Sequence, residues 1–145
     1  LMQKEKSVLI FIAFIIIWLI INSFQAGLTG LLHDEAYYFL YSEFPAWGYY
    51  DHPPLTAMMI KAGTWLFHGE FGLRVLFVLL SAGTIGILYL QAKPTNIFFF
   101  ALLFFSFLFF QITGFLALPD SAMIFFTALF FWVYKKYVSP VIQLL

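Results

Sequence analysis

The chain has 145 residues, of which 63% are hydrophobic and 10% charged, with a formal net charge of zero. Such a composition lies far from that of soluble domains, and a neutral chain offers no basic footprint to nucleic acid. The lack of cysteine excludes disulfides and thiolate metal sites.

Lys4 and Lys6 precede the apolar run Val8–Phe24. That run is too long for a signal-peptide core and has no small-residue cleavage site at its end, so it predicts a retained membrane helix. A second run, Phe71–Leu90, carries Arg74 near its start and Gly83 and Gly86 for close helix contacts. The third, Ile97–Leu118, carries Gln111, Thr113 and Gly114 as weak polar interruptions. The fourth, Ser121–Tyr134, ends at Lys135 and Lys136. At about 1.5 Å rise per residue against a core of roughly 30 Å, the first three are long enough or nearly so. The fourth reaches only about 21 Å by the same rise. The expected fold is an all-α integral membrane module over residues 1–145, with four transmembrane helices and an outer loop over 25–70. Val141–Leu145 reads as the opening of another helix, so this module is expected to be part of a larger bundle.

Charge supports that topology independently. If the four spans alternate, Lys4, Lys6, Lys93, Lys135 and Lys136 share one side, which the positive-inside rule makes cytoplasmic. Asp34, Glu35, Glu43, Asp51, Glu70, Asp120 and the three histidines then share the other. The expected location is the inner cell membrane, with the polar face outside the cytoplasm.

Within the outer loop, Asp34 is placed to N-cap a short interfacial helix ending near Glu43, with Glu35 in its first turn. Pro53-Pro54 enforces an extended dipeptide, and Pro54 then suits the first position of a second interfacial helix through Phe67, with Lys61 snorkelling. Trp47, Tyr49 and Tyr50 suit a headgroup-level belt.

Three constellations carry chemistry. Asp34-Glu35 offers a general base, or else a cap and a dipole partner. Asp51-His52, stiffened by the prolines, could hold a divalent cation or steady a phosphate through His52, or form a solvated turn. Asp120 is expected below the outer surface, facing a water-filled cavity, unless it merely starts a helix. Glu70 and Arg74 have i,i+4 spacing, which predicts an ion pair; the sharper alternative makes Arg74 an anion clamp. His33 and His68 read as loop residues. No P-loop, dinucleotide fingerprint, nucleophile elbow or H-E-x-x-H is present, so an activated substrate arriving from the lipid phase fits better than nucleotide chemistry. Two other classes remain: a transporter or channel, whose acids would line the spans, and a non-catalytic four-helix membrane subunit.

In order, the motifs "HDEAYYFLYSEF", "WGYYDHPPL", "GEFGLRVLFVLLS" and "LALPDSAMIFFTALFFWVY" resemble those of the GT-C membrane glycosyltransferases. The resemblance is to the dolichyl-phosphate-mannose-protein mannosyltransferase-like group, which includes the bacterial aminoarabinose transferases. It implies transfer from a polyprenyl-phosphate sugar to a protein, lipid or glycan acceptor, with Asp34 as base and Asp120 as a second active-site acid; the transfer is expected to invert, with Glu35 as a further catalytic candidate beside the base. It also implies His52, where the group often has Lys, at the lipid-linked phosphate; Arg74 and Tyr50 are the further residues expected to bind there. Asp51 matches a position implicated in metal binding in some members, which makes a divalent cation the one candidate cofactor.

Overall fold

A computed structural model describes residues 2–138; the helix expected to open at Val141 lies outside them. Seven α-helices follow in chain order: α1 Met2–Leu28, α2 His33–Glu43, α3 Leu55–Leu66, α4 Gly69–Ala92, α5 Ile97–Ser106, α6 Leu108–Thr113 and α7 Pro119–Val133. A π-helical turn, Tyr134–Val138, continues α7. Among the described residues there is no strand.

α4 is the central post, packed by α1, α3 and α7. α1 runs antiparallel to it. Phe11 stacks on Tyr89 at 3.8 Å, Trp18 Nε1 donates to Ser81 Oγ at 2.9 Å, and Arg74 donates to the Ala26 carbonyl at 2.9 Å. α5 follows the direction of α1, with Phe11 meeting Phe100 and Phe14 meeting Phe104. α7 follows α4, with Phe125 against Gly83 and Gln91 donating to the Ala128 carbonyl at 3.1 Å. The passes α1, α4, α5–α6 and α7 therefore alternate in direction. Phe14, Trp18, Ile85, Phe100 and Phe104 form the core between them.

Among the described residues two helical segments are long and apolar enough to cross a bilayer, Glu5–Leu28 and Gly69–Ala92, each of 24 residues. α1 turns Leu9, Ile12, Ile16, Ile20 and Phe24 outward, a surface suited to lipid and costly in water. The third apolar run is not one helix. α5 stops at Ser106, Phe107 adopts an extended conformation, and α6 carries the chain only to Thr113. Gln111 Nε2 donates to the Phe104 carbonyl at 2.9 Å, which supplies a partner where the helical ladder is broken. A turn over residues 114–118 then leads into α7. Gly114 is required there, since a Cβ would lie 2.6 Å from Asn22 Oδ1 and 2.7 Å from the Phe110 carbonyl.

Both helices of the 25–70 segment form close to the expected bounds. α3 is docked on the bundle through Ala57, Ile60 and Gly63, all buried against α2 and α4. Lys61 Nζ donates to Glu43 Oε1 at 3.0 Å across the exposed α2–α3 surface.

Candidate active site

α2 begins one residue before the expected cap. Leu32 occupies the cap position, and its N–H donates to Glu35 Oε2 at 3.2 Å. Glu35, three residues on, thus does the capping that Asp34 was expected to do. Asp34 is left exposed, with no hydrogen-bond partner among the described residues. It shares one helix face with Tyr37, Tyr38 and Tyr41, spaced three, four and seven residues on.

Glu35 itself is fully buried and paired with the equally buried Arg74. Arg74 Nε donates to Glu35 Oε1 at 2.7 Å and Nη2 to Oε2 at 2.5 Å, a two-pronged fit of guanidinium to carboxylate. The remaining N–H groups reach the carbonyls of Ala26, Thr29 and Gly30, where α1 ends. The guanidinium also lies 5.7 Å from the Phe115 ring centroid. Oε1 of Glu35 accepts a further bond from the Ala117 N–H at 2.9 Å. Burial pushes the Glu35 carboxyl up, but the bonds from Arg74, Ala117 and Leu32 outweigh it and hold the pKa below the usual value. All five Arg74 donors are in use. The expected Glu70–Arg74 pair is therefore replaced by a long-range one, and Arg74 has no donor left to offer an anion.

This knot joins four segments: the end of α1, the start of α2, the first turns of α4 and the turn before α7. It also sets the neighbouring acids. Asp34 adjoins Glu35, and Asp120 lies three residues beyond Ala117. In α7 the cap position is Leu118, with Pro119 first in the helix, so Asp120 does not cap; it is exposed at the same end of the bundle as α2.

Asp51 joins them through tyrosines. Tyr37 and Tyr41 hydroxyls donate to Asp51 Oδ1 at 2.8 and 3.1 Å, and those hydroxyls touch each other. His52 Nδ1 lies 3.0 Å from the same oxygen. The His52 contact is the largest influence holding Asp51 below the usual carboxylate range; a smaller desolvation opposes it, and the tyrosine hydroxyls add to it. Tyr37 is raised, first by its bond with Tyr41 and then by that with Asp51. Tyr49 stacks on Tyr41 at 4.0 Å and donates to the Tyr41 carbonyl at 2.7 Å, which folds the loop over α2.

Tyr38 is the hub. Its ring is buried with Ile60, Leu73, Phe77 and Ala117 and meets His52 edge-on at 5.1 Å. Its hydroxyl is harder to ionise than usual, first through burial and then through the negative charges of Asp34, Asp51 and Asp120. All three acids therefore lie within electrostatic reach of one ring. Tyr50 stands apart and is fully exposed, as Trp47 nearly is. Sequence reasoning gave the tyrosines of α2 no role; their shared helical spacing with Asp34 was the available signal.

For a cation, Asp51 and His52 are the nearest pair of ligands. Among the described residues, however, no three His, Asp or Glu side chains gather as a ligand set.

Comparison with curated proteins and with solved structures finds no match. A family model does match residues 51–140, from Asp51 of the tyrosine-held loop through Arg74 and Asp120 to the end of α7 and beyond. That stretch is more than half of the chain, which belongs to the dolichyl-phosphate-mannose-protein mannosyltransferase family.

Proposed function

We propose that the chain carries the acid-bearing half-site of a GT-C glycosyltransferase, using a polyprenyl-phosphate sugar as donor on the non-cytoplasmic side of the membrane. All four passes cross the bilayer in this reading, with α2, α3 and the tyrosine-held loop at the outer end. Asp34 takes the proton from the acceptor hydroxyl or amine. The freed electron pair attacks the anomeric carbon from the face opposite the phosphate. The carbon–oxygen bond to phosphate breaks with inversion, and polyprenyl phosphate leaves with the bonding pair. Asp120 faces the same space as a second acid, and His52 supplies hydrogen bonding or positive charge to the departing phosphate. Glu35 and Arg74 act as positioning residues that hold the segments bearing Asp34 and Asp120 together.

One observation carries this reading. Asp34, Asp51 and Asp120 come from three separate segments, yet all act on Tyr38, and neither Asp34 nor Asp120 is occupied as a helix cap. Asp34→Asn in the full-length protein tests it, with sugar transfer from a polyprenyl-phosphate donor as the assay. Turnover should fall by about 10²–10⁴, the usual worth of general base catalysis, with thermal stability unchanged. Near-normal turnover would remove Asp34 as the base.

A further inference from the structure

The lysine-bearing end of the bundle, opposite Asp34, holds a second constellation. α4 ends at Ala92 and is followed by Lys93, whose left-handed backbone (φ 45°) turns the chain across the helix terminus. α7 reaches the same level and passes into the π-helical turn that carries Lys135 and Lys136. Between them opens a cavity of about 500 Å³ lined by Leu90, Gln91, Lys93, Trp132, Lys135 and Lys136. Among the described residues, none of these three lysines has a carboxylate at ion-pair distance. The α1–α4 ladder, in which Phe11 meets Tyr89 and Trp18 meets Ser81, brings Lys6 level with Lys93. Glu5 is the acid that α1 contributes at this end, and it does not line the cavity.

The carbonyl ends of α4 and α7 disfavour an anion here, so the cavity attracts one only through the three lysines that line it. Apolar surface runs up to its rim: Leu90, Phe130 and Phe131 are exposed. Trp132, of a residue type that favours the headgroup region, lines the cavity with Lys136 Nζ 4.9 Å from its ring centroid. A soluble anion would have no use for the apolar rim, whereas a lipid uses both parts. We propose that this cavity binds the phosphate headgroup of an anionic phospholipid, with its acyl chains lying along α4 and α7. The site is separate from the donor site and does not depend on the transferase reading.

The test is native mass spectrometry of the full-length protein in detergent, titrated with phosphatidylglycerol or phosphatidylcholine. Phosphatidylglycerol should be retained in clear preference to phosphatidylcholine. The combined variant Lys93→Gln, Lys135→Gln, Lys136→Gln should lose that retention by at least about tenfold, since each lysine near an anionic headgroup adds to the attraction. The corresponding Lys→Arg variant should keep it, and Lys61→Gln at the other end should leave it unchanged. Equal retention of the two lipids by the unmodified chain would overturn the proposal, even if the neutralised variant fails to fold. Inorganic phosphate that displaces phosphatidylglycerol completely at millimolar concentration would overturn the lipid in favour of a soluble anion.

Discussion

Asp34 and Glu35 are adjacent in sequence and lie in opposite environments, and that contrast separates chemistry from architecture. Asp34 is exposed, so replacing it leaves no orphaned partner. Glu35 is enclosed with Arg74, and removing either one strands the other's charge in a buried site. Breaking such a pair from one side costs about 3–5 kcal/mol. Glu35→Gln and Arg74→Met should therefore each lower the thermal midpoint markedly, whereas the double variant should recover part of the loss. The double-mutant cycle measures this directly, and independent, additive losses would refute the knot. Sequence reasoning singled out both residues but paired Arg74 with Glu70. Spacing along one helix is visible in a sequence, whereas a partner on another helix is created only by packing. For the same reason Tyr38 passed unnoticed, because nothing in its local sequence states which three acids will surround it.

At the scale of elements, the small residues of α3 and α4 set how closely those helices approach. A Cβ at Gly72 would sit 1.9 Å from the Phe67 carbonyl oxygen, and one at Gly63 would sit 2.2 Å from that of Gly72. Both obstacles are backbone and cannot swing away. A Cβ at Gly83 meets Phe125 Cε2 at 2.8 Å, a ring edge that can rotate. Gly72→Ala should thus cost at least the roughly 1–3 kcal/mol of an overpacked core and pull α3 off α4, whereas Gly83→Ala stays near the wild-type midpoint. Thermal unfolding of the two variants side by side decides it; equal losses would mean that the α3–α4 crossing is looser than it stands. The helices themselves were largely legible, because α1 and α4 are long apolar runs with clear polar ends. The break at Phe107 was not. No proline or glycine marks it, and Gln111, which partners the Phe104 carbonyl beside the break, reads in sequence only as a weak polar interruption.

For the whole molecule, the separation of charge along the bundle is the property that ties fold to function. The acids of α2, α4, α7 and the tyrosine-held loop gather at one end, and Lys93, Lys135 and Lys136, which have no ion pair among the described residues, at the other; under the proposed function this separation orients the chain and confines acid-base chemistry to one side of the membrane. α5–α6 is the weakest link in that topology, since its pass is interrupted and neither piece alone is long enough to cross. Its direction, however, is fixed by the ring contacts of Phe100 and Phe104 with α1. The sequence contains no cysteine, so single cysteines report sidedness without background. Trp47→Cys lies in the exposed loop beside Asp51, and Thr95→Cys in the exposed turn between α4 and α5. In sealed vesicles of known orientation, a membrane-impermeant maleimide should label one of these from outside and the other only after permeabilisation. Labelling of both from the same side would mean that α4 does not cross, and the acids would then lose the one-sided face on which a lipid-linked donor could be met.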